Sequence, residues 1–314
     1  MYRLHGAIAL PLLLIASSRS SAPQELTDHR ISVNVDLVVL QATVRDRKGR
    51  LAPDLREQDF EIYEDGVRQT IHLFRHEDTP VTVGLVVDHS GSMRPKLPEV
   101  MAAAATFAQA SSTQDEMFVV NFNEKVSMGL PEEIPFTNRS DELARAISTA
   151  PATGQTALYD AVLVAQRRLQ SGNRDKKVLI IISDGGDNAS KHSLEEVVKT
   201  AAESTTQMYT VGIFDDGDAD RNPAVLRRLA VATGGEAFFP GQPGEVVSIC
   251  KSIAHDIRHQ YTLGYVPNQA APPGAYRAIH VVAQAADRTK LIVRTRSGYI
   301  AARERAPVKD DPDK

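Results

Sequence analysis

Apolar positions change their spacing twice along the chain, dividing it into three regions. From Ile31 to Val44 they alternate, through Ile31, Val33, Val35, Leu37 and Val39 to Ala42 and Val44. Period two with β-branched side chains is the mark of a half-buried strand. Lys48-Gly49 turns the chain, and Phe60-Glu61-Ile62-Tyr63 and Val67–Phe74 flank Glu64-Asp65-Gly66. Asp-Gly between two β-prone runs is a strong hairpin signal. Residues 31–78 are therefore predicted to form a small antiparallel β unit, too short to bury much on its own.

At Pro80 the texture changes. Val81-Thr82-Val83-Gly84-Leu85-Val86-Val87 and Val178-Leu179-Ile180-Ile181-Ile182 are nearly unbroken apolar runs, as expected of strands covered on both faces. Further strands are predicted at Met117–Phe122, Met208–Phe214 and Glu236–Phe239. Helical spacing marks Pro95–Ala110, Glu142–Ile147, Ala157–Leu169, Leu194–Glu203, Pro223–Ala232 and Val246–Ile257. Alternating strands and helices of these lengths predict a doubly wound α/β fold over 80–258, with a mainly parallel sheet and right-handed crossovers. After Gln260 the pattern returns to β: Tyr261–Tyr265, Tyr276–Val282 and Leu291–Thr295 form a C-terminal β segment over 259–300, followed by a charged tail over 301–314. Chain ends of a domain often lie close together, so the two β flanks can form one sheet domain with the α/β unit inserted.

The N-terminus follows different rules. Arg3 precedes an apolar run from Ala7 to Ala16, and small residues follow to Ala22. This is the layout of a secretory signal peptide over 1–22, and the run is too short to span a bilayer as a helix. Export places the protein in a secreted or periplasmic setting. Removal of 1–22 takes away Arg3 and Arg19 and moves the formal charge from −4 to −6.

Composition narrows the function. With 36 Lys and Arg against 40 Asp and Glu, the chain is not a generally basic nucleic-acid binder, and 5% aromatic residues offer few stacking platforms. One Cys makes no internal disulfide, and no Cys-rich spacing for zinc or iron–sulfur is present.

The chemistry lies at predicted strand ends. The strand ending at Val87 runs into Asp88-His89-Ser90-Gly91-Ser92, where residues two apart face one side in extended chain. Thr156 sits at a loop-to-helix junction, and Asp184 closes the apolar strand ending at Ser183, before Gly185-Gly186-Asp187-Asn188. In an open α/β sheet the carboxyl edge of the strands is where ligands bind. Asp88, Ser90, Ser92, Thr156 and Asp184 together offer hydroxyls and carboxylates, a donor set for a hard divalent cation: Mg²⁺, or Mn²⁺ or Ca²⁺. Helix and turn capping would account for the hydroxyls, but not for two carboxylates aimed at one edge.

The Asp-x-Ser-x-Ser loop, the distant Thr and the Ser-Asp-Gly turn resemble the metal-ion-dependent adhesion site of von Willebrand factor type A (VWA) domains. Thr156-Ala157-Leu158-Tyr159-Asp160-Ala161, Tyr209-Thr210-Val211-Gly212 and Thr233-Gly234-Gly235 extend the likeness over 80–258. With Glu64-Asp65-Gly66 and Arg296-Ser297-Gly298-Tyr299 in its flanks, the chain is similar to the acidobacterial VWA-related family of exported proteins. The resemblance implies a Rossmann-like fold and a non-enzymatic, cation-dependent protein-binding role. It implies that Ser90 and Ser92 ligate metal directly, Thr156 directly or through water, and Asp88 and Asp184 largely through water. A partner's Asp or Glu would complete the coordination.

Other signals carry less. His255 and His259 have the i, i+4 spacing of zinc ligands but lack the Glu of H-E-x-x-H. Asp216-Gly217-Asp218-Ala219-Asp220 resembles the start of a calcium loop, yet Arg221 and Arg227 stand where its Gly and Glu belong. Cys250 falls on an apolar helix stripe and is expected to be buried. Two alternative functions stay open. One is a structural role in an envelope or secretion assembly. The other is metal-assisted hydrolysis, for which Asp187 and His89 are the nearby acid–base groups.

Overall fold

The computed structural model describes residues 37–301 apart from 216–220, 243 and 288. The signal peptide expected over 1–22, the start of the first predicted strand, the Asp216–Asp220 loop and the tail after 301 lie outside the described residues. In chain order the elements begin with β1 (Val38–Arg45), β2 (Phe60–Glu64), β3 (Val67–Gln69) and β4 (Ile71–Arg75). The inserted unit comprises β5 (Val81–Asp88), α1 (Leu97–Ala110), β6 (Glu116–Phe122), β7 (Val126–Met128), α2 (Ser140–Ser148) and α3 (Leu158–Gln170), then β8 (Lys176–Ser183), α4 (Leu194–Ala202), β9 (Gln207–Gly212), α5 (Pro223–Ala232), β10 (Ala237–Phe238) and α6 (Glu245–Arg258). The chain closes with β11 (Tyr261–Tyr265), β12 (Tyr276–Ala283), β13 (Ile292–Arg294) and β14 (Gly298–Ile300).

The inserted unit builds a six-stranded sheet in the order β10-β9-β8-β5-β6-β7, parallel except for β7. β5 is buried at every position and β8 at all but one, as their apolar runs require. α1, α2 and α6 pack together on one face, and α3, α4 and α5 on the other. Two details depart from the pattern reading. Helical spacing from Pro95 resolves into a 3₁₀ turn, Gly91–Lys96, before α1 starts at Leu97, because the chain must first swing out of the sheet edge. β7 escapes the periodicity, being three residues returned by a turn in which Asn123 Oδ1 accepts the Lys125 amide at 2.9 Å.

Strands from the two β flanks interleave. Among the described residues they form two four-stranded sheets, β13-β1-β11-β4 and β14-β12-β2-β3, antiparallel throughout. Asp65 and Gly66 both take positive φ, 48° and 81°, and close β2 onto β3, the geometry of the expected Asp-Gly hairpin. The expected second strand, Val67–Phe74, is broken at exposed Thr70, and its halves belong to different sheets. Inward faces of both sheets share one core: Leu40, Phe60, Ile62, Tyr261, Leu263, Tyr265 and Val281 among others. Fully buried Glu64 is satisfied inside it. It accepts from the hydroxyls of Tyr265 at 2.5 Å and Tyr299 at 3.0 Å and pairs with Arg277.

Charged and polar bonds join the sandwich to the α/β unit. Asp256 of α6, 1% exposed, accepts from Arg45 of β1 at 2.6 Å and Arg294 of β13 at 3.1 Å. Gln260 Nε2 donates to Gln207 at 2.8 Å, and Arg296 donates to the carbonyls of Ala202 and Ser204 at the end of α4, each at 2.7 Å.

Candidate metal centre

The strand order creates the site. From β5 the chain crosses through α1 to β6 on one side, whereas from β8 it crosses through α4 to β9 on the other. Loops leaving two neighbouring strands in opposite directions open a crevice at their carboxyl ends. Asp88 is the last residue of β5 and Asp184 the first beyond β8, so both stand at that switch point.

Four of the five candidate ligands form one hydrogen-bonded chain. Asp88 Oδ1 accepts the Ser90 amide at 2.8 Å, which curls the loop back over the strand end. The Ser90 and Ser92 hydroxyls lie 3.1 Å apart, and Ser92 Oγ donates to Asp184 Oδ2 at 2.6 Å. Asp88 Oδ2 accepts from the hydroxyl of Ser183 at 2.6 Å. Thr156 joins through the backbone. The Gly91 amide donates to the Gly154 carbonyl at 3.3 Å, and the Thr156 amide donates to Asn188 Oδ1 at 2.9 Å. Gly154 has φ +84°, and a Cβ there would overlap the Glu124 carboxylate, which itself accepts the Gln155 amide at 3.1 Å. Only glycine lets the Thr156 loop run this close to the β6–β7 turn.

The electrostatics are those of an unneutralised anionic site. Asp88 is 0% and Asp184 2% exposed. Their hydrogen bonds come from serine hydroxyls and backbone amides, and among the described residues no Arg, Lys or His pairs with either. Burial first, and then the Asp184 charge, push the Asp88 acid up to about 6, against the hydrogen bonds from Ser183 and Ser90. Two buried carboxylates beside two hydroxyls suit a hard divalent cation, which would neutralise them. Among the described residues no group of three His, Cys, Asp or Glu is placed to hold a metal, so a centre here must use its hydroxyls.

The family model of the von Willebrand factor type A domain matches residues 82–247, just over half of the chain. The chain belongs to the VWA family. An uncharacterized Synechocystis protein, sll0103, is 23% identical over 217 residues, covering 67% of this chain. The chain spans about half the length of that relative (50%). A von Willebrand factor type A structure from Catenulispora acidiphila superposes with a TM-score of 0.52 at 13% identity, over 86% of this chain and 75% of that one. Proximal thread matrix protein 1 from the mussel byssus gives 0.50 at 14% identity, over 62% and 51%. At such identities the likeness is one of fold.

Within this VWA domain several residues take roles that spacing did not reveal. Ser183 holds Asp88, and its neighbour Asp184 accepts the Gly186 amide at 3.0 Å. Asn188 reaches Thr156. Asp187 is occupied as a cap, accepting the Tyr159 amide at 3.0 Å and the Ser190 hydroxyl at 2.6 Å. Asp187 is half-buried, and no local pattern marks this role, because the helix it caps lies 28 residues before it in the chain. His89 is fully buried, with Nε2 3.1 Å from Asn121 Oδ1, and burial lowers its pKa. Lys96, also buried, donates to the Ile213 carbonyl and pairs with Asp215, each at 3.1 Å. Cys250 is buried, which pushes its thiol up to about 12. His255 and His259 stack on each other with ring centroids 4.0 Å apart.

Proposed function

We propose that this chain is a divalent-cation-dependent protein-binding module acting outside the cytoplasm. Asp88, Ser90, Ser92, Thr156 and Asp184 would hold one cation, Mg²⁺ in first place or Mn²⁺ or Ca²⁺, and an Asp or Glu side chain of a protein partner would complete its coordination. The observation that carries this reading is the pair of buried carboxylates at the switch point, bonded among the described residues only to hydroxyls and backbone amides. The metal would supply a Lewis-acidic oxygen site. The chain's own groups would orient it, since Ser92 is held by Asp184 and Asp88 by Ser183.

A binding role is favoured over hydrolysis by the same geometry. Asp187 is spent on capping α3, and His89 is fully buried with Nε2 against Asn121, which disfavours either as the general base that metal-assisted hydrolysis needs. The extracytoplasmic setting rests on the signal-like pattern of residues 1–22.

Isothermal titration of the metal-free protein with MgCl₂ and MnCl₂, beside Asp88→Ala, tests the centre. Saturable 1:1 binding lost in a folded variant is the expected result, whereas equal uptake by both proteins would remove the site. The partner chemistry is tested by repeating the Mn²⁺ titration with a short Glu-containing peptide or its Gln counterpart. Linkage requires the Glu peptide alone to tighten Mn²⁺ binding. No difference between peptides, with metal still bound, would leave the cation a structural role.

A further inference from the structure

We infer that Asn188 is a positioning residue for this centre, holding Thr156 in place relative to Asp184. The inference rests on the metal reading of Thr156 above. Both backbone polar groups of Thr156 are taken by one turn, four residues beyond Asp184. Asn188 Oδ1 accepts the Thr156 amide at 2.9 Å, and the amides of Asn188 and Ala189 both donate to the Thr156 carbonyl at 3.0 Å. On the other side, the flanking amides of Gln155 and Ala157 donate to Glu124 and to the Asn123 carbonyl, at 3.1 and 2.8 Å. Successive amides thus pull in opposite directions, and Thr156 is strung between the β6–β7 turn and the Asp184 turn.

The side chain of Asn188 is the replaceable member of this suspension. Deleting it frees the Thr156 amide while leaving the backbone bonds to the Thr156 carbonyl. It also spares the caps of α3, which lie elsewhere. Ala157 gives α3 no side-chain cap, and Asp187 and Ser190 supply that function by accepting the Tyr159 and Asp160 amides at 3.0 and 3.1 Å. Asp160 in turn accepts the Lys191 and His192 amides at 3.1 Å. α3 therefore stays docked on the Asp184 loop without Asn188, and what is lost is the side-to-side placement of Thr156. Residues that orient a ligand in this way commonly affect metal affinity about as strongly as weaker ligands do.

A double-mutant cycle in Mn²⁺ affinity tests this. Thr156→Ala is expected to weaken Mn²⁺ binding at least about tenfold, and Asn188→Ala by about tenfold. Melting temperatures in EDTA should stay within about 3 °C of the parent. Because Asn188 acts through Thr156, the double variant should bind no more weakly than Thr156→Ala alone. Asn188→Asp, which keeps an acceptor for the Thr156 amide, should restore affinity and serves if the alanine variant folds poorly. Multiplying losses in the double variant would overturn the inference, as would an Asn188→Ala protein with parental affinity beside a weakened Thr156→Ala. If Thr156→Ala binds like the parent while Asp88→Ala does not, Thr156 is no ligand and both statements about it fall, with the rest of the centre intact.

Discussion

Ser92 Oγ donates to Asp184 Oδ2 at 2.6 Å, joining loops 92 residues apart in the chain. The length is that of a charge-assisted bond. It turns the serine proton towards the carboxylate, so that Ser92 Oγ is the acceptor in its 3.1 Å contact with the Ser90 hydroxyl. Ser92→Ala removes both an oxygen donor and the group that orients Asp184. The expected outcome is at least about a tenfold loss of Mn²⁺ affinity, read by titration calorimetry, with the fold retained by circular dichroism.

Metal uptake should depend on pH through Asp88. Its acid is raised from 3.8 to about 6 by burial and by Asp184, so protons compete with the cation as pH falls through about 6. Mn²⁺ affinity should decline by about tenfold per pH unit below that point and be flat above pH 7. For the metal-free protein the sign is opposite. A group that holds its proton more tightly when folded contributes stability that is full below 3.8 and lost as pH rises through about 6. The ceiling on that contribution is on the order of 3 kcal/mol. Urea unfolding in EDTA at pH 5 and pH 7.5 checks the direction, best as the difference from Asp88→Asn.

Asp256 clamps the sandwich to α6 through Arg45 and Arg294. Removing the carboxylate takes the ion-pair partner from Arg45 and one of two from Arg294, which keeps Glu236; both guanidinium groups are only partly solvated, 29% and 21% exposed. Asp256→Ala should cost about 2–3 kcal/mol, below the range for fully buried pairs. Urea unfolding should show a lowered midpoint, and Asp256→Asn should recover part of the loss.

The seam should also be acid-sensitive at His76, which stacks on Tyr261 with centroids 4.1 Å apart. Burial and then the nearby His259 lower its pKa below 6.5. A histidine depressed in the folded state contributes stability that is present above 6.5 and lost as pH falls below it. His76→Phe keeps an aromatic ring without the titration. Its urea midpoint relative to the parent should rise between pH 7.5 and pH 5.5, the reverse of the Asp88 effect.

Gly235 lies against β9, where a Cβ would sit 1.8 Å from the Met208 carbonyl oxygen and 2.6 Å from its carbon. Both are backbone atoms of a core strand, so no rotamer change relieves the overlap. Gly235→Ala should lose about 3 kcal/mol or more, seen as a drop in melting temperature or in soluble yield.

Much of this architecture is legible without coordinates. β5 and β8 are unbroken apolar runs because both faces are covered, and Asp88 and Asp184 are found at their ends because a charge cannot continue such a run. Thr156 is harder to place, since its loop is irregular and the side chains that hold it, Asn188 on its own amide and Glu124 on that of Gln155, lie 32 and 31 residues away in sequence. Ser183 escapes notice because a serine at a strand end has many bland explanations. β7 and β14 are three residues each, shorter than any periodicity can register.

Sequence alone determined which residues can be buried and where the strands end, because burial writes itself into local spacing. It thereby determined the α/β core, the hairpin at Asp65-Gly66 and the strand ends at which Asp88 and Asp184 stand. Only the tertiary structure decided which strands are neighbours. Val67–Phe74 is split at Thr70 between two sheets, and Glu64 finds Tyr265, Tyr299 and Arg277 from the far end of the chain. It also decided that Asp187 caps a helix and Asn188 holds Thr156. Such pairings depend on long-range hydrogen bonds between side chains and loop backbone, which have no period in the sequence and exist only once the sheet has brought the loops together.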